Sequence, residues 1–403
     1  MIAIYGLALL ALQGSGDTVA VALRAAVDRV ALHGLAAGGF PGVAVVVTRG
    51  RETLLSRGYG HVDWDPRSPA VDPARTLYDL ASLTKVVATA TAAMALYDAG
   101  RLSLDAPVSR YLPRWHGGGR ERVTVRELLT HRAGLPEGLE LWRVARTPAA
   151  ARRAVLETPL VYPPGARSLY SDLGPDVLGF VIESITHERL DAYLAHRVYG
   201  PLGMAHTRFR PRADDLRDVA RTEAPLGRVH DRAAAALGGV AGHAGLFASA
   251  DDLARFARMM LAGGRANGLR IVSDSAIARF TTRTAGTRAL GWDTCAGGAS
   301  CGQYMGPDAY GHTGYTGTSM WIDPEHDLAV IVLANWASGT AAHAAGPIAI
   351  LDDVRADIAD LAVAAVAGRG GRQAVPPLAG VALRSDGARG WGLRSTVRGA
   401  LYP

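Results

Sequence analysis

The sequence predicts an α/β protein of the α+β kind, with one sheet assembled from both ends of the chain and a mainly helical domain inserted between them. Short β-branched runs at 42–48 and 53–59 return only near the carboxyl terminus, and helical patterns fill most of the interval. We therefore expect residues 17–80 and 266–366 to form the sheet domain and residues 81–265 the helical insertion. At 403 residues, 49% of them hydrophobic, the chain can bury a large core.

The elements of the first half follow from local patterns. Residues 17–35 carry a helical pattern and precede the two early strands, which the turn RGRE joins into a hairpin. After Ser82 the sequence TKVVATATAAMALYDAG is apolar on nearly all helical faces, which predicts a buried helix that stops at Gly100. Further helices are expected in the insertion, and Ser249 is expected to cap the last of them.

The late part of the chain returns to strands and ends in a polar tail. The stretch GHTGYTGTSMWIDPEHDLAVIVLANWAS predicts two strands joined by the turn DPEHD, and a final helix is expected over 347–366. Residues 367–403 are rich in Gly, Pro and Arg, which predicts a weakly ordered tail. Six arginines and one aspartate give this tail five of the six net positive charges. The body is nearly neutral, so no nucleic-acid surface is expected.

The opening MIAIYGLALLALQGSGD is apolar for its first dozen residues and then turns small and polar. It predicts a signal peptide over 1–16 and export to the periplasm or the exterior, with a buried first helix and a cytoplasmic location as the alternative. No other run reaches the roughly 18 apolar residues of a membrane span. Cys295 and Cys301 enclose a short glycine loop, where a local disulfide and two free thiols both stay open. The oligomeric state is not indicated.

One lysine stands out against a strong arginine bias. Of the 43 Lys and Arg residues only Lys85 is lysine, which leaves 42 arginines. Arginine keeps its charge at any biological pH, whereas a desolvated lysine amine can lose a proton and act as a base. Ser82 precedes it by three positions, one helical turn away on the same face, so hydroxyl and amine can touch. A lysine acting as a base is expected to titrate below about 9 in the free protein.

Two further segments complete a pattern. LYSDLG places Tyr170 two positions before Asp172, and GHTGYTG is a late strand of small residues. In order, S-x-x-K, then Y-x-N-like, then K-T-G-like resembles the penicillin-recognising serine hydrolases, in the branch of class C β-lactamases, D-Ala-D-Ala carboxypeptidases, D-aminopeptidases and family VIII-type esterases. The phrases ASLTKVVAT, ELLTHRAGLP and GGVAGHAGLFASADDLARF extend the resemblance over about residues 20 to 365. It implies the β-lactamase/transpeptidase-like fold, an antiparallel sheet flanked by helices beside a helical domain.

The resemblance also implies roles for individual residues. Ser82 would be the nucleophile, Lys85 its base, and Tyr170 the group that relays a proton to the leaving group. The oxyanion hole would combine the backbone N–H groups of Ser82 and Tyr315. Neither a metal nor an organic cofactor is expected for this acyl-enzyme chemistry. The remaining expected substrate-binding residues are Asp172, His312, Thr313 and Gly314.

Two departures from the family pattern bear on the substrate. Asp172 stands where asparagine is usual; an ionised carboxylate cannot donate to a substrate carbonyl, and near Lys85 it would favour the charged amine. His312 stands where many members have lysine, and at neutral pH an imidazole is only partly protonated. Strong recognition of a substrate carboxylate is therefore in doubt.

The other histidines and the paired methionines are assigned more ordinary roles. We expect structural roles for His131 and His243, with backbone partners. We expect Met259 and Met260 in the core. His230 and Asp231 are weaker candidates for the rim of the cleft.

The sequence as a whole predicts a serine acyl hydrolase acting on a small ester, an amide or a D-amino-acid peptide, ahead of efficient β-lactam hydrolysis. The alternative is a non-catalytic protein of the penicillin-binding type that holds a peptidoglycan-like ligand. A lone lysine beside a serine argues against that alternative, because binding alone does not require a neutral amine.

Overall fold

The computed structural model describes residues 2–284, 286–297, 300–339, 348–367 and 374–384, with side chains from residue 18 onward. The helices are α1 (Ile2–Ala36), α2 (Thr91–Asp98), α3 (Val125–Leu129), α4 (Leu141–Val144), α5 (Pro148–Glu157), α6 (Leu173–Thr186), α7 (Leu190–Leu194), α8 (Gly200–Leu202), α9 (Arg232–Ala236), α10 (Ala250–Leu261), α11 (Asp274–Thr281) and α12 (Ile348–Val366). The strands are β1 (Gly42–Arg49), β2 (Glu52–Gly60), β3 (Tyr78–Asp79), β4 (Thr207–Phe209), β5 (Leu246–Ala248), β6 (Arg265–Ala266), β7 (Leu269–Arg270), β8 (Asp293–Thr294), β9 (Tyr310–Thr313), β10 (Thr318–Asp323) and β11 (Leu328–Ala334).

Six strands form the central antiparallel sheet in the order β2-β1-β11-β10-β9-β8. The predicted hairpin at the amino-terminal end is confirmed, with Val43 opposite Tyr59. The late hairpin is confirmed as well, with Thr318 opposite Leu333 across β10 and β11. Because β1 pairs directly with β11, the sheet joins both ends of the chain, as the sequence predicts.

Both faces of this sheet are covered. Along β1, Val43, Val45 and Val47 belong to the core formed with α1 and α12, whereas Ala44 and Val46 belong to the core on the opposite face. Side chains alternate between the two faces of a strand, so a continuously apolar run is what a doubly covered strand requires. The second core includes Met259 and Met260, as expected. The helices of the insertion, called here the helical body, therefore pack directly against the sheet.

Helix α10 falls within residues 81–265, which the sequence assigns to the helical insertion. It packs against β1 and β11 and so covers part of the central sheet. Its predicted cap is confirmed, because the Ser249 side chain accepts a hydrogen bond from the Asp252 amide. The insertion also contains strands, since β3, β5 and β4 form a small sheet of their own.

Residues 374–384 of the predicted tail are described by the structure, and one of them contacts the body of the protein. Arg384 lies against α12 and pairs with Asp357 at 3.0 Å and Asp360 at 2.8 Å, two carboxylates that are fully buried. A buried carboxylate needs a charged or hydrogen-bonding partner, and the tail supplies one. The remainder of the predicted tail, 368–373 and 385–403, lies outside the described residues.

The two cysteines are joined in a disulfide, with Cα atoms 6.0 Å apart, a separation that a disulfide spans readily. Within the residues that the structure describes, no helix is both long and apolar enough to cross a bilayer.

Candidate active site

The site begins at a strained turn between β3 and the first helical turn after it. Ala81 has a φ of +46°, in the left-handed region that costs a non-glycine residue about 1–3 kcal/mol. The Asp79 carboxylate holds this turn by accepting from the Ala81 amide at 2.9 Å. A second hydrogen bond holds the turn, since the Thr316 hydroxyl donates to the Asp79 carbonyl at 2.6 Å. The turn thus fixes Ser82 at the start of the helix.

Gly314 lets strand β9 and the residues after it approach this turn. A Cβ built on Gly314 would lie 2.3 Å from the Leu80 carbonyl oxygen and 2.2 Å from the Thr318 hydroxyl. Only glycine fits such a contact. Packing within the chain therefore explains this glycine without a ligand.

The structure brings Ser82 and Lys85 together as their spacing predicts. Lys85 Nζ donates to Ser82 Oγ at 2.8 Å, lies 2.7 Å from Asp172 Oδ1, and donates to the His243 carbonyl at 3.3 Å. An ammonium has three N–H bonds, and all three find acceptors. The Lys85 side chain is only 2% exposed. It opens a π-helical turn, Lys85–Ala90, an irregularity often found at functional sites.

The expectation of a low lysine pKa is wrong for the free protein. Burial lowers the pKa of Lys85, but the adjacent Asp172 carboxylate outweighs it, and the pKa lies well above the ordinary lysine value. This agrees with the prediction that a carboxylate near Lys85 favours the charged form of the amine. Asp172 precedes α6 and is about one-third exposed, so it lies between the buried lysine and the cleft.

Two cations lie close to the Tyr170 ring. Lys85 Nζ is 4.9 Å from the centre of its ring and Arg288 Cζ is 5.1 Å from it. The phenol hydroxyl is buried close to Lys85, and it adds to the rise of the lysine pKa. His131 packs against the same ring at 4.6 Å and accepts from the Ser171 amide through Nδ1 at 3.2 Å. The structural role expected for His131 is therefore to support Tyr170.

His312 is neutral in this environment, contrary to the expectation of partial protonation. Burial lowers its pKa well below the ordinary value, and the positive charges of Arg288 and Lys85 lower it further. Its Nδ1 donates to the Thr313 carbonyl at 2.7 Å, which leaves Nε2 to accept from Arg288 at 3.4 Å. The cation at this edge of the cleft is Arg288, which also lies 3.9 Å from Asp293.

His243 forms the opposite case. Its Nδ1 lies 2.8 Å from Asp176 and its Nε2 lies 3.0 Å from Asp231, so both ring nitrogens face carboxylates. Burial lowers its pKa, but the two carboxylates prevail and raise it well above the ordinary value. His243 is therefore an imidazolium, and its partners are carboxylates instead of the expected backbone groups.

Tyr315 and His230 lie side by side in an aromatic cluster. Tyr315 is 42% exposed, stacks on the His230 ring at 5.5 Å and meets Trp336 edge-on at 5.5 Å. The His230 amide donates to the Asp79 carboxylate at 2.6 Å, which anchors this cluster to the turn before Ser82. These aromatic surfaces can contact an apolar or planar part of a ligand.

Three donor atoms of the cluster, from Asp172, Asp231 and His243, lie within 4.8 Å of one another. The Lys85 ammonium already binds Asp172, and His243 already binds Asp231. We assign these groups to a charge network around the lysine rather than to a metal.

Arg288 and Asp176 were not identified by sequence reasoning. Arg288 is one arginine among 42 and stands in no recognisable motif. Asp176 lies four residues after Asp172 on α6, a helical spacing that places both carboxylates on the side facing Lys85 and His243. That spacing is the one signal that could have identified it.

Comparison with known proteins places these residues in a family. The model of the Beta-lactamase family matches residues 27–355. A Salmonella paratyphi B protein named "Putative D-alanyl-D-alanine carboxypeptidase" is 33% identical over 342 residues, covering 74% of this chain and 79% of that protein.

Solved structures share the fold. EstCE1, described as a hydrolase with promiscuous acyltransferase activity, aligns with a TM-score of 0.68 at 21% identity, over 84% of this chain and 99% of that one. A penicillin-binding protein homologue from Caulobacter crescentus aligns with a TM-score of 0.65 at 21% identity, over 77% and 91%.

The family match spans most of the chain and includes both the sheet and the Ser82–Lys85 turn. The predicted fold and family are confirmed. The chain belongs to the β-lactamase family and is a β-lactamase-related serine acyl hydrolase.

Proposed function

We propose that Ser82 is the nucleophile of this hydrolase and that its substrate is a small acyl compound ending in a carboxylate, of the D-amino-acid peptide class. The observation that carries the proposal is the buried Lys85 amine, 2.8 Å from Ser82 Oγ, with the Arg288 cation 5.1 Å from the centre of the neighbouring Tyr170 ring. Lys85, in its neutral form, can take the Ser82 proton, and Arg288 supplies a positive charge for the substrate. The carboxypeptidase name of the 33% identical relative agrees with this substrate class.

The proposed reaction has two halves. The Ser82 Oγ attacks the acyl carbonyl while its proton passes to the amine of Lys85, and the tetrahedral oxyanion accepts from the backbone N–H groups of Ser82 and Tyr315. Collapse of this intermediate breaks the bond to the leaving group, which takes a proton relayed by Tyr170. Water then attacks the acyl-enzyme and releases the acid, restoring the Ser82 hydroxyl.

Arg288 supports recognition of a substrate carboxylate despite the neutral His312. A neutral imidazole cannot attract a carboxylate by charge, but Arg288 borders it at 3.4 Å and can bind one in a bidentate manner. We place the substrate carboxylate between Arg288 and the Thr313 side chain at the end of β9. Asp172 is oriented toward Lys85, so we do not assign it to a substrate carbonyl.

The test is intact-mass analysis of the whole protein after incubation with a short-chain p-nitrophenyl ester, a penicillin, and an acyl-D-Ala-D-Ala peptide with its C-terminal amide as the matched control. We expect an acyl adduct on Ser82 and faster hydrolysis of the free-acid peptide than of its amide. Ser82→Ala should remove the adduct and lower turnover by at least about 10³-fold, while the variant keeps the wild-type unfolding midpoint. Equal hydrolysis of acid and amide, with rapid ester cleavage, would assign the site to neutral esters.

We also propose that the protein is exported. The predicted leader over 1–16 and the Cys295–Cys301 disulfide support an oxidising compartment. The mass of the amino terminus in the native host tests this, since an unprocessed chain in the cytoplasmic fraction would contradict it.

A further inference from the structure

We propose that Asp172 is the proton-holding partner of Lys85: it takes a proton from the lysine so that the amine becomes neutral when Ser82 reacts. This inference rests on the proposed function, because it concerns the activation of the same serine. It gives Asp172 a role in place of the expected contact with substrate.

The geometry is a hydrogen-bonded chain of three groups. Ser82 Oγ, Lys85 Nζ and Asp172 Oδ1 follow one another at 2.8 and 2.7 Å. Lys85 is almost fully buried, whereas the Asp172 side chain is one-third exposed and closes the chain toward the cleft. A proton can therefore move between lysine and aspartate without entering solvent.

The arrangement answers a specific difficulty. A base must present a lone pair, yet Lys85 directs three N–H bonds to three acceptors and holds its proton tightly. The charged pair, Lys-NH₃⁺ with Asp-COO⁻, and the neutral pair, Lys-NH₂ with Asp-COOH, contain the same number of protons. The neutral amine is thus reached by internal transfer at a fixed pH, with no proton lost to water.

The proposed step balances as follows. The Nζ–H bond facing Asp172 breaks and an O–H bond forms on Oδ1; rotation about Cε–Nζ then turns the lone pair toward Ser82. The Ser82 O–H bond breaks as Nζ takes its proton and Oγ bonds to the acyl carbon. When the leaving group departs with a proton taken from Lys85, Asp172 returns its own. A bound substrate covers the exposed side of Asp172, and removal of water favours the neutral pair.

Other charges around Lys85 modulate this balance without replacing Asp172. The titratable and charged groups that face the pair are Tyr170, His131, His312, Arg288, Asp176, Asp231 and His243. Asp231 is already bound to the His243 imidazolium, so among the described carboxylates Asp172 is the one in direct contact with the lysine.

The experiment measures the rate of Ser82 acylation by p-nitrophenyl acetate from pH 5 to 10, by quenching and intact mass. With wild type, acylation should remain fast at neutral pH although Lys85 is protonated. In Asp172→Asn the amide cannot hold a proton, so Lys85 must lose one to solvent. The acid limb of the pH–rate profile for acylation should move to higher pH by at least about one unit. At pH 6 the acylation rate of the variant should therefore be at least about tenfold below wild type, and by pH 9 it should recover.

Two variants and one spectrum separate this role from a structural one. Asp172→Glu should keep the acid limb near its wild-type position, because it restores a carboxylate. Asp231→Asn removes a charge from the same cluster without touching Lys85 and should move the limb by less than about half a pH unit. Because Lys85 is the only lysine, labelling with [¹³Cε]lysine gives one resonance, which should titrate above the ordinary lysine pKa in wild type and lower in Asp172→Asn.

The outcomes distinguish two failures. An absence of any Ser82 adduct in wild type at every pH would overturn the proposed function. A Ser82 adduct together with an Asp172→Asn profile that matches wild type at pH 6 would retain the nucleophile and overturn the role of Asp172.

Discussion

His243 and His312 both lie near Lys85, and both are buried, yet they carry different charges. His243 is held between Asp176 and Asp231, which keep it protonated. His312 lies beside Arg288 and is neutral. The same residue type, equally removed from solvent, thus becomes a cation or a neutral acceptor according to the sign of its neighbours.

The two parts of the site therefore differ in the charged residues that they contain. On the side of the helical body, two cations, Lys85 and His243, face three carboxylates, Asp172, Asp176 and Asp231. Beside His312, at the sheet edge, the charged groups are the partly buried Arg288 and Asp293, 3.9 Å apart. A substrate whose carboxylate points to the sheet edge and whose acyl group lies over Ser82 fits this division.

The largest expected effect separates the two histidines by stability. His243→Gln leaves Asp176 without its cation, and breaking a buried ion pair costs about 3–5 kcal/mol. His312→Gln removes a neutral ring with hydrogen bonds of ordinary strength and should cost about 1 kcal/mol. Urea unfolding of the two variants and wild type measures the difference. Equal losses would mean that His243 is not charged in the folded protein.

The next effect concerns the charge at the sheet edge. Arg288→Gln keeps a hydrogen-bond donor near His312 but removes the cation, so kcat/KM for a carboxylate-terminated peptide should fall about 10- to 100-fold. Hydrolysis of p-nitrophenyl acetate, which has no carboxylate, serves as the control and should fall less than about threefold.

An equal loss with both substrates would contradict this role. Arg288 would then support Tyr170 through its ring contact alone rather than bind substrate.

Sequence patterns predicted the parts of this molecule that local spacing determines. The Ser82–Lys85 contact follows from one helical turn, and the sheet follows from the apolar runs of β1, β10 and β11. The placement of α10 on that sheet was not predictable from its own amphipathic pattern, because the pattern gives an apolar face without naming its partner.

The protonation states of the site residues could not be predicted from the sequence either, because they depend on which side chains the fold brings together. The protonation of Lys85 depends on Asp172, and that of His312 depends on Arg288, partners brought close only by the fold. Arg384 is a similar case, since composition predicts a loose tail and two buried carboxylates on α12 hold it in place.

The smallest expected effect is a pair of opposite pH dependences of stability. The pKa of His243 is raised on folding, so its contribution is complete below about 6.5 and is lost as pH rises through the folded value. The pKa of His312 is lowered, so the folded state resists its protonation and stability is lost as pH falls below about 6.5. Each group changes the free energy of unfolding by at most about 1.4 kcal/mol per pH unit.

Relative to wild type, His243→Gln should therefore lose less stability between pH 7 and 9, and His312→Gln should lose less between pH 6.5 and 5. Unfolding free energies at these four pH values check both signs, and parallel curves for the two variants would remove the distinction between the two sides of the cleft.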